Sequence, residues 1–146
     1  GNTLGNFEIN ELMYEVKSSM GDGDYLLIGN GLDTRKSEQI LKAYDNPFLD
    51  NLLVKTLTQI GLKREDLEYG ARFKNSRVEM YYTVKKNTKI EFLDKIVYFD
   101  KGDQIVVAVS YKYDSHDFKR FMKIYFHDVK VYVSSDGSYA LALCKK

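Results

Sequence analysis

Few residues of this chain have the type and spacing that catalysis or metal binding needs. His116 lies between Asp114 and Asp117, and His127 is followed directly by Asp128. A carboxylate beside an imidazole could bind a divalent cation or form a proton-transfer pair. A metal site normally needs about three or four converging ligands, and a turn has the same Asp, Ser and His composition, so we interpret the first cluster as a turn. His127 remains a candidate binding residue.

The motifs of the common catalytic classes do not occur in the sequence. It contains no Gly-x-x-x-x-Gly-Lys-Ser/Thr loop, no Gly-x-Ser-x-Gly elbow, no His-Glu-x-x-His and no Rossmann glycine fingerprint. Gly29-Asn30-Gly31 lacks the spacing of a dinucleotide site, and Asp22-Gly23-Asp24 lacks the further ligands of a calcium loop. Cys144 has no identifiable histidine partner, so we interpret it as a packed thiol. We predict no catalytic residue, no cofactor and no metal.

Tyrosines are the other candidates for a binding site. The chain has 12 of them, and many fall in predicted strands. Tyrosine combines apolar area with a polar tip and is enriched in pockets and interfaces, although most strand tyrosines simply stabilise sheets. We predict that Tyr82, Tyr98 and Tyr111, together with His127, line a concave pocket that could take a small apolar ligand.

Helical spacing dominates the first third of the chain. One helix face is formed by Ile9, Leu12, Met13, Val16 and Met20. Asn6 is the predicted N-cap of this helix, and Asp33 is the predicted N-cap of a second one. Asn46 precedes Pro47, the only proline, at the predicted start of a third helix. The apolar run at residues 25–28 is a predicted edge strand.

The second half of the chain alternates apolar and polar residues. The best example places Val78, Met80, Tyr82 and Val84 on one face at a period of two. Short polar separators favour antiparallel hairpins. The predicted strands cover about 67–74, 77–85, 89–99, 103–113, 118–133 and 138–144. The longest of these must bend, so Leu93-Asp94 and His127-Asp128 are predicted bulges.

These patterns predict a single α+β domain over residues 1–146. N-terminal helices at about 7–61 would pack on a strongly curved antiparallel sheet of about five to six strands at 67–144. This layout is similar to cone-shaped folds of the nuclear-transport-factor-2-like (NTF2-like) and cystatin-like type. A meander barrel with a helical lid is the alternative.

Composition limits the class of protein and its partners. A hydrophobic content of 44% excludes a disordered chain, and no apolar run reaches the roughly 18 residues of a spanning helix. The net charge of +1, spread over interleaved lysines and acids, does not favour nucleic-acid binding. Gly1 in place of methionine indicates processing or truncation, which leaves an upstream signal or anchor, and hence the compartment, open.

A non-catalytic binding or assembly module, bacterial in origin and acting through its sheet surface or concave face, is the predicted function. The run from Ile105 to Val109 is apolar on both strand faces, so we expect both faces to be covered. One face would meet the helices, and the other would meet the far wall of a barrel, another strand layer or a partner protein, with a homodimer through the sheet as one hypothesis. The first alternative is a small-molecule binding protein with an apolar pocket between sheet and helices. The second is an enzyme that uses His127 or a buried carboxylate such as Glu79 or Asp94.

Overall fold

The chain forms two compact units in the computed structural model, which describes the backbone of residues 2–146 and their side chains except those of Asn2, Thr3 and Phe92. We call residues 1–35 and 110–146 the terminal unit, and residues 36–109 the central unit. In chain order the elements are α1 (Ile9–Ser19), β1 (Tyr25–Gly31), α2 (Ser37–Lys42), α3 (Pro47–Thr58), β2 (Leu67–Lys74), β3 (Arg77–Val84), β4 (Thr88–Phe92), β5 (Lys95–Phe99), β6 (Gln104–Tyr111), α4 (Ser115–Tyr125), β7 (Asp128–Val133) and β8 (Tyr139–Lys145). Short 3₁₀ helices span Asn2–Asn6 and Arg64–Asp66.

The predicted α+β class and the antiparallel pairing of strands are confirmed. Within residues 2–146, however, the eight strands form three sheets, in the orders β1–β8–β7, β2–β3–β6 and β4–β5. The prediction of one curved sheet is therefore wrong. Helices and strands occur in both units. The first strand of the chain pairs with the last, with Tyr25 opposite Lys145, so segments from both ends of the chain belong to the same unit. No helix among the described residues is both long and apolar enough to cross a membrane.

The terminal unit packs two helices on one face of its three-stranded sheet. The core joins residues of α1, α4 and β8, namely Ile9, Met13, Phe118, Met122, Ala140, Ala142 and Cys144. The small alanines of β8 let the helices approach the sheet closely. Cys144 is fully buried there, as expected of a packed thiol. Because β1 and β7 both pair antiparallel with β8, these two strands run parallel to each other.

The central unit buries the inner faces of β2 and β3. Val78, Met80, Tyr82 and Val84 are all at most 5% exposed, which confirms the predicted alternation in β3. They pack in two clusters with residues of α2, α3 and β4 that include Ile40, Val54, Leu57 and Ile90. Asn46 caps α3 as predicted, because its Oδ1 accepts the backbone N–H of Leu49 at 3.0 Å.

Two of the long predicted strands are wrong. Residues 118–133 divide into α4 and β7, since Phe118, Met122 and Tyr125 recur at helical spacing and Asp114 caps the helix by accepting the N–H of Asp117 at 2.7 Å. Residues 89–99 form the β4–β5 hairpin. Leu93 and Asp94 both have positive φ, 47° and 63°, which is the geometry of a two-residue hairpin turn rather than a bulge.

Two predicted helix caps are also wrong. Asn6 ends a 3₁₀ helix, and Glu8 caps α1 by accepting the N–H of Glu11 at 2.9 Å. Asp33 is not a cap, because its carboxylate binds Arg35 two residues later and α2 begins only at Ser37. The side chains of short polar residues can bond to near neighbours in several ways, so residue type alone does not identify a cap.

Candidate functional site

The central unit contains an open cleft of about 680 Å³ beside the first turn of α3. We call it the Asp50 cleft, and its lining residues are Asp45, Asn46, Pro47, Asp50, Arg64, Leu67, Glu68, Tyr69 and Lys85. The volume lies within the range of small-molecule sites, which is about 300–1,000 Å³. The cap at Asn46 starts the helix at this point and so places Asp50 on its first turn, where the helix dipole favours a negative charge.

Asp50 is held by partners from two other segments. The Tyr82 hydroxyl donates to the backbone carbonyl of Asp50 at 2.8 Å and to its Oδ1 at 2.9 Å. The Arg64 Nη2 donates to Oδ2 at 2.6 Å, and the Arg64 Nη1 donates to the Leu67 carbonyl at 3.0 Å. The carboxylate, the phenol and the guanidinium therefore form a fixed polar floor for the cleft.

Two tyrosine rings form the apolar wall behind this floor. The Tyr69 and Tyr82 ring centroids lie 5.5 Å apart with planes inclined at 59°, and the Tyr69 hydroxyl donates to the Tyr44 carbonyl at 2.9 Å. Burial, followed by the hydrogen bond to Asp50, raises the pKa of Tyr82 above its usual value of 10.0. Burial likewise raises the pKa of Tyr69. Both phenols therefore stay protonated at neutral pH and act as hydrogen-bond donors rather than as bases.

Charged side chains of both signs surround the cleft opening. Asp45, Glu68 and Lys85 are exposed, and within residues 2–146 none of the three side chains makes a hydrogen bond or an ion pair. Two unpaired carboxylates and one unpaired ammonium can bind a ligand that itself carries both charges.

A second polar cluster lies on the outer face of β2 and β3. Glu79 is only 4% exposed, and it accepts hydrogen bonds from Arg72 at 2.7 Å and from Arg77 at 2.5 Å. The Arg72 and Arg77 hydrogen bonds hold the pKa of Glu79 below its ordinary value. The buried carboxylate that the sequence suggested is thus present at Glu79, but it is neutralised by two arginines. Asp94, the other candidate, is exposed in the hairpin turn.

The four predicted binding residues lie in different surroundings. Tyr82 is fully buried with its hydroxyl at the Asp50 cleft, whereas Tyr98 is 72% exposed on β5. Tyr111 belongs to the terminal unit, where its ring stacks at 6.1 Å on that of Tyr113, and His127 is exposed between α4 and β7. Tyr82 and Tyr98 share a unit but lie in separate sheets.

Sequence reasoning missed Asp50, Arg64 and Tyr69 as members of a polar site. The only signal was indirect, since the Asn46-Pro47 cap fixes the register of the helix on which Asp50 lies. Neither the partner of Asp50 at Arg64 nor the one at Tyr82 is near it in the chain. Their convergence depends on how α3 packs against β3.

The acidic segment around His116 has a structural explanation. One ligand atom from each of Asp114, His116 and Asp117 lies within 4.8 Å of the others, and His116 Nδ1 is 3.6 Å from Asp117 Oδ1. Asp114 is already used as the N-cap of α4, and His116 is exposed. These residues therefore form the N-terminus of α4, and the turn predicted at this position is wrong.

A family model described as "Histidine-specific methyltransferase, SAM-dependent" matches residues 1–146 of the chain. A comparison with curated proteins gave no match. The family match makes the predicted non-catalytic binding or assembly module wrong, and with it the expectation that the protein is not an enzyme. The small-molecule carrier, offered as an alternative, is set aside for the same reason. The motifs absent from the sequence belong to other catalytic classes, so their absence did not exclude an enzyme, which was the second alternative.

β1 does not provide the glycine-rich turn with which open α/β sheets bind the nucleoside of a cofactor such as S-adenosylmethionine (SAM). Nucleoside cofactors in open α/β sheets bind where a strand passes through a glycine-rich turn into a helix. Here Gly29 lies inside β1 and Gly31 is its last residue. A Cβ on Gly29 would stand 2.4 Å from the Tyr139 hydroxyl, so this glycine serves packing. The nearby carboxylate of Asp33, which could bind a ribose, is occupied by Arg35 at 2.6 and 2.8 Å. No residue is assigned to SAM.

Proposed function

We propose that the chain, which belongs to the histidine-specific, SAM-dependent methyltransferase family, takes part in methyl transfer from SAM to a histidine substrate. The observation that carries this proposal is the family match over residues 1–146. Fold alone would not support it, since sheets and helices of this kind occur with many functions.

We further propose that the Asp50 cleft binds the histidine. Free histidine carries an α-carboxylate, an α-ammonium group and an imidazole that is partly protonated near neutral pH. Lys85 can pair with the carboxylate, while Asp45 and Glu68 can accept hydrogen bonds from the ammonium and imidazole N–H groups. The Tyr69 ring offers an apolar face for the imidazole.

The fixed floor of the cleft supports this assignment. Asp50 is bound on one side by Arg64 and on the other by Tyr82, so it does not need to reorganise when a ligand enters. A preorganised polar site loses less conformational entropy on binding than a mobile one. The ligand would then be recognised by the unpaired charges at the opening.

Isothermal titration of the 146-residue chain with histidine, in the absence of SAM, tests the cleft. Glu68→Gln and Asp45→Asn should each weaken binding roughly tenfold, since losing one charge-assisted contact at an exposed site costs about 1.4 kcal/mol. Glu91→Gln is the matched control, because Glu91 is an exposed strand glutamate paired with Lys89 in the β4–β5 hairpin. Equal affinity in all four proteins, or no binding of histidine at all, would remove the cleft from the proposal.

A further inference from the structure

A second opening, of about 460 Å³, adjoins the Asp50 cleft in the central unit. We call it the Gly70 groove. It is lined on the side of α2 by Glu38, Lys42 and Asp45, and on the side of the β2–β3 hairpin by Gly70, Ala71 and Tyr81. Asp45 lines both openings, and the cleft reaches Tyr69 where the groove begins at Gly70. Cleft and groove therefore follow one another along β2, so a ligand longer than one amino acid can occupy both.

The free edge of β2 borders both openings. Within the part of the chain that the structure describes, β2 pairs with β3 alone. The N–H of Lys85 donates to the carbonyl of Asp66 at 2.8 Å, so the even-numbered residues of β2 are those bonded to β3. The N–H and C=O groups of Tyr69 and Ala71 therefore point to the free edge. The main chain of a ligand can bond to these groups, as peptides do when they add to the edge of a sheet.

Gly70 lets a tyrosine of β3 reach the groove. Tyr81 lies opposite Gly70, and a Cβ on Gly70 would stand 2.7 Å from Cζ and 2.8 Å from the hydroxyl oxygen of Tyr81, so the ring lies over β2 where the strand has no side chain. The guanidinium carbon of Arg72 is 4.8 Å from the ring centroid, and Arg72 is itself bound to Glu79 and Gln104. The Tyr81 hydroxyl makes no hydrogen bond to any described residue. It is thus a positioned donor that a ligand in the groove can use.

Charges and donors differ between the two ends of this path. At the Asp50 cleft, the carboxylates of Asp45 and Glu68 can bind an ammonium group. At the Gly70 groove, the Lys42 ammonium, the Tyr81 hydroxyl and the Ala71 N–H are three donors that suit a carboxylate. A ligand that spans both should therefore carry its positive charge in the cleft and its negative charge in the groove.

We propose that the substrate is a short peptide that begins with histidine and whose second residue occupies the Gly70 groove. The inference rests on the proposed function, because the histidine itself is placed in the Asp50 cleft. In a chain that runs parallel to β2, one residue can donate its N–H to the Tyr69 carbonyl and accept the N–H of Ala71. The second residue of the peptide supplies that N–H, and its carboxylate accepts from Ala71, Lys42 and Tyr81. Free histidine lacks this second residue.

A peptide that ends in histidine is the competing ligand. It would run antiparallel to β2, with its carboxylate at Lys85 and its ammonium group in the Gly70 groove. Glu38 could bind that ammonium group, but Lys42 and Tyr81 would then present donors to a further donor. In the proposed orientation Lys85 instead donates to the histidine carbonyl oxygen, which replaces the carboxylate oxygen of the free amino acid.

Isothermal titration of the 146-residue chain with histidine, histidyl-glycine and glycyl-histidine tests the inference. Histidyl-glycine should bind roughly tenfold more tightly than histidine, since it keeps the ammonium contacts and adds charge-assisted hydrogen bonds. Histidyl-glycine binding no tighter than histidine would overturn the inference and leave the histidine proposal standing. Tighter binding of glycyl-histidine than of histidyl-glycine would overturn it too. If neither histidine nor histidyl-glycine bound, the assignment of the Asp50 cleft and the inference would fail together.

Tyr81→Phe separates the groove from the cleft. The variant keeps the aromatic ring but loses the hydroxyl donor, so the affinity for histidyl-glycine should fall roughly tenfold. The affinity for free histidine should not change, because Tyr81 does not line the Asp50 cleft. Tyr98→Phe is the matched control, since Tyr98 is an exposed strand tyrosine that lines neither opening, and it should affect neither ligand. Unchanged histidyl-glycine binding by Tyr81→Phe, or an equal loss for both ligands, would contradict the inference.

Discussion

Glu79 offers a sharp test of how the central unit is stabilised. Its carboxylate is 4% exposed and lies between two guanidinium groups, Arg72 directly opposite on β2 and Arg77 two residues earlier on the same face of β3. Glu79→Gln keeps the size of the side chain and one acceptor oxygen but removes the charge. We expect the variant to fold and to be less stable.

The size of the expected stability loss follows from the exposure of Arg72 and Arg77, the partners of Glu79. Breaking a fully buried ion pair costs about 3–5 kcal/mol, because one charge is left without solvent or partner. Here the charges left behind are on Arg72 and Arg77, whose side chains are 38% and 33% exposed and can be hydrated. We therefore expect the free energy of unfolding to fall by about 2 kcal/mol, which is near the cost of losing one charge-assisted hydrogen bond.

The stability that the Glu79 cluster contributes should decrease at acidic pH. The folded-state pKa of Glu79 is lowered from 4.5, first by the hydrogen bond from Arg72 and then by that from Arg77. A lowered carboxyl pKa adds stability that is fully present above 4.5 and is lost as the pH falls through the folded-state pKa. The difference in stability between wild type and Glu79→Gln should accordingly be largest near neutral pH and shrink on acidification below 4.5.

Urea unfolding followed by circular dichroism, repeated over this pH range, measures both effects. Glu91→Gln is the control, since Glu91 also pairs with a cation on a strand, Lys89 at 2.6 Å, but its side chain is 67% exposed. An exposed pair of this kind contributes only about 0–1 kcal/mol. If Glu79→Gln and Glu91→Gln unfolded at the same urea concentration at every pH, burial would not be what makes the Glu79 cluster stabilising.

Two further changes probe the Asp50 cleft and the terminal unit. Tyr82→Phe removes the hydrogen-bond donor to Asp50 and should lower the free energy of unfolding by about 1.5 kcal/mol. Tyr98→Phe is the control, because Tyr98 is 72% exposed, and it should change this free energy by less than about 0.5 kcal/mol. Urea unfolding that ranks the two variants the other way would contradict the geometry of the cleft. Burial raises the pKa of the Cys144 thiol to about 11. A thiol-specific disulfide reagent at mildly alkaline pH should therefore react slowly with the folded chain and rapidly with the chain unfolded in urea. Fast labelling without urea would show that the helices do not cover β8.

Local patterns in the sequence predicted several elements because their causes are local. The Asn46-Pro47 pair set the start of α3, and alternation along β3 identified its buried face. The same reasoning failed at 118–133, where a helical face of aromatic residues was taken for a bent strand. A segment rich in Phe, Tyr and Met can form either a helix or a strand, and the N-cap at Asp114 favours the helix.

What the sequence alone determined is the α+β class, the antiparallel pairing and, through the family match, membership of a methyltransferase family. Tertiary structure decided which residues meet. Register placed Arg72 opposite Glu79, and packing of α3 on β3 brought Asp50 to Tyr82, 32 positions away in the chain. Side-chain periodicity depends only on near neighbours, whereas strand partners and polar contacts depend on distant segments. For that reason the pairing of the first strand with the last was not visible in the sequence.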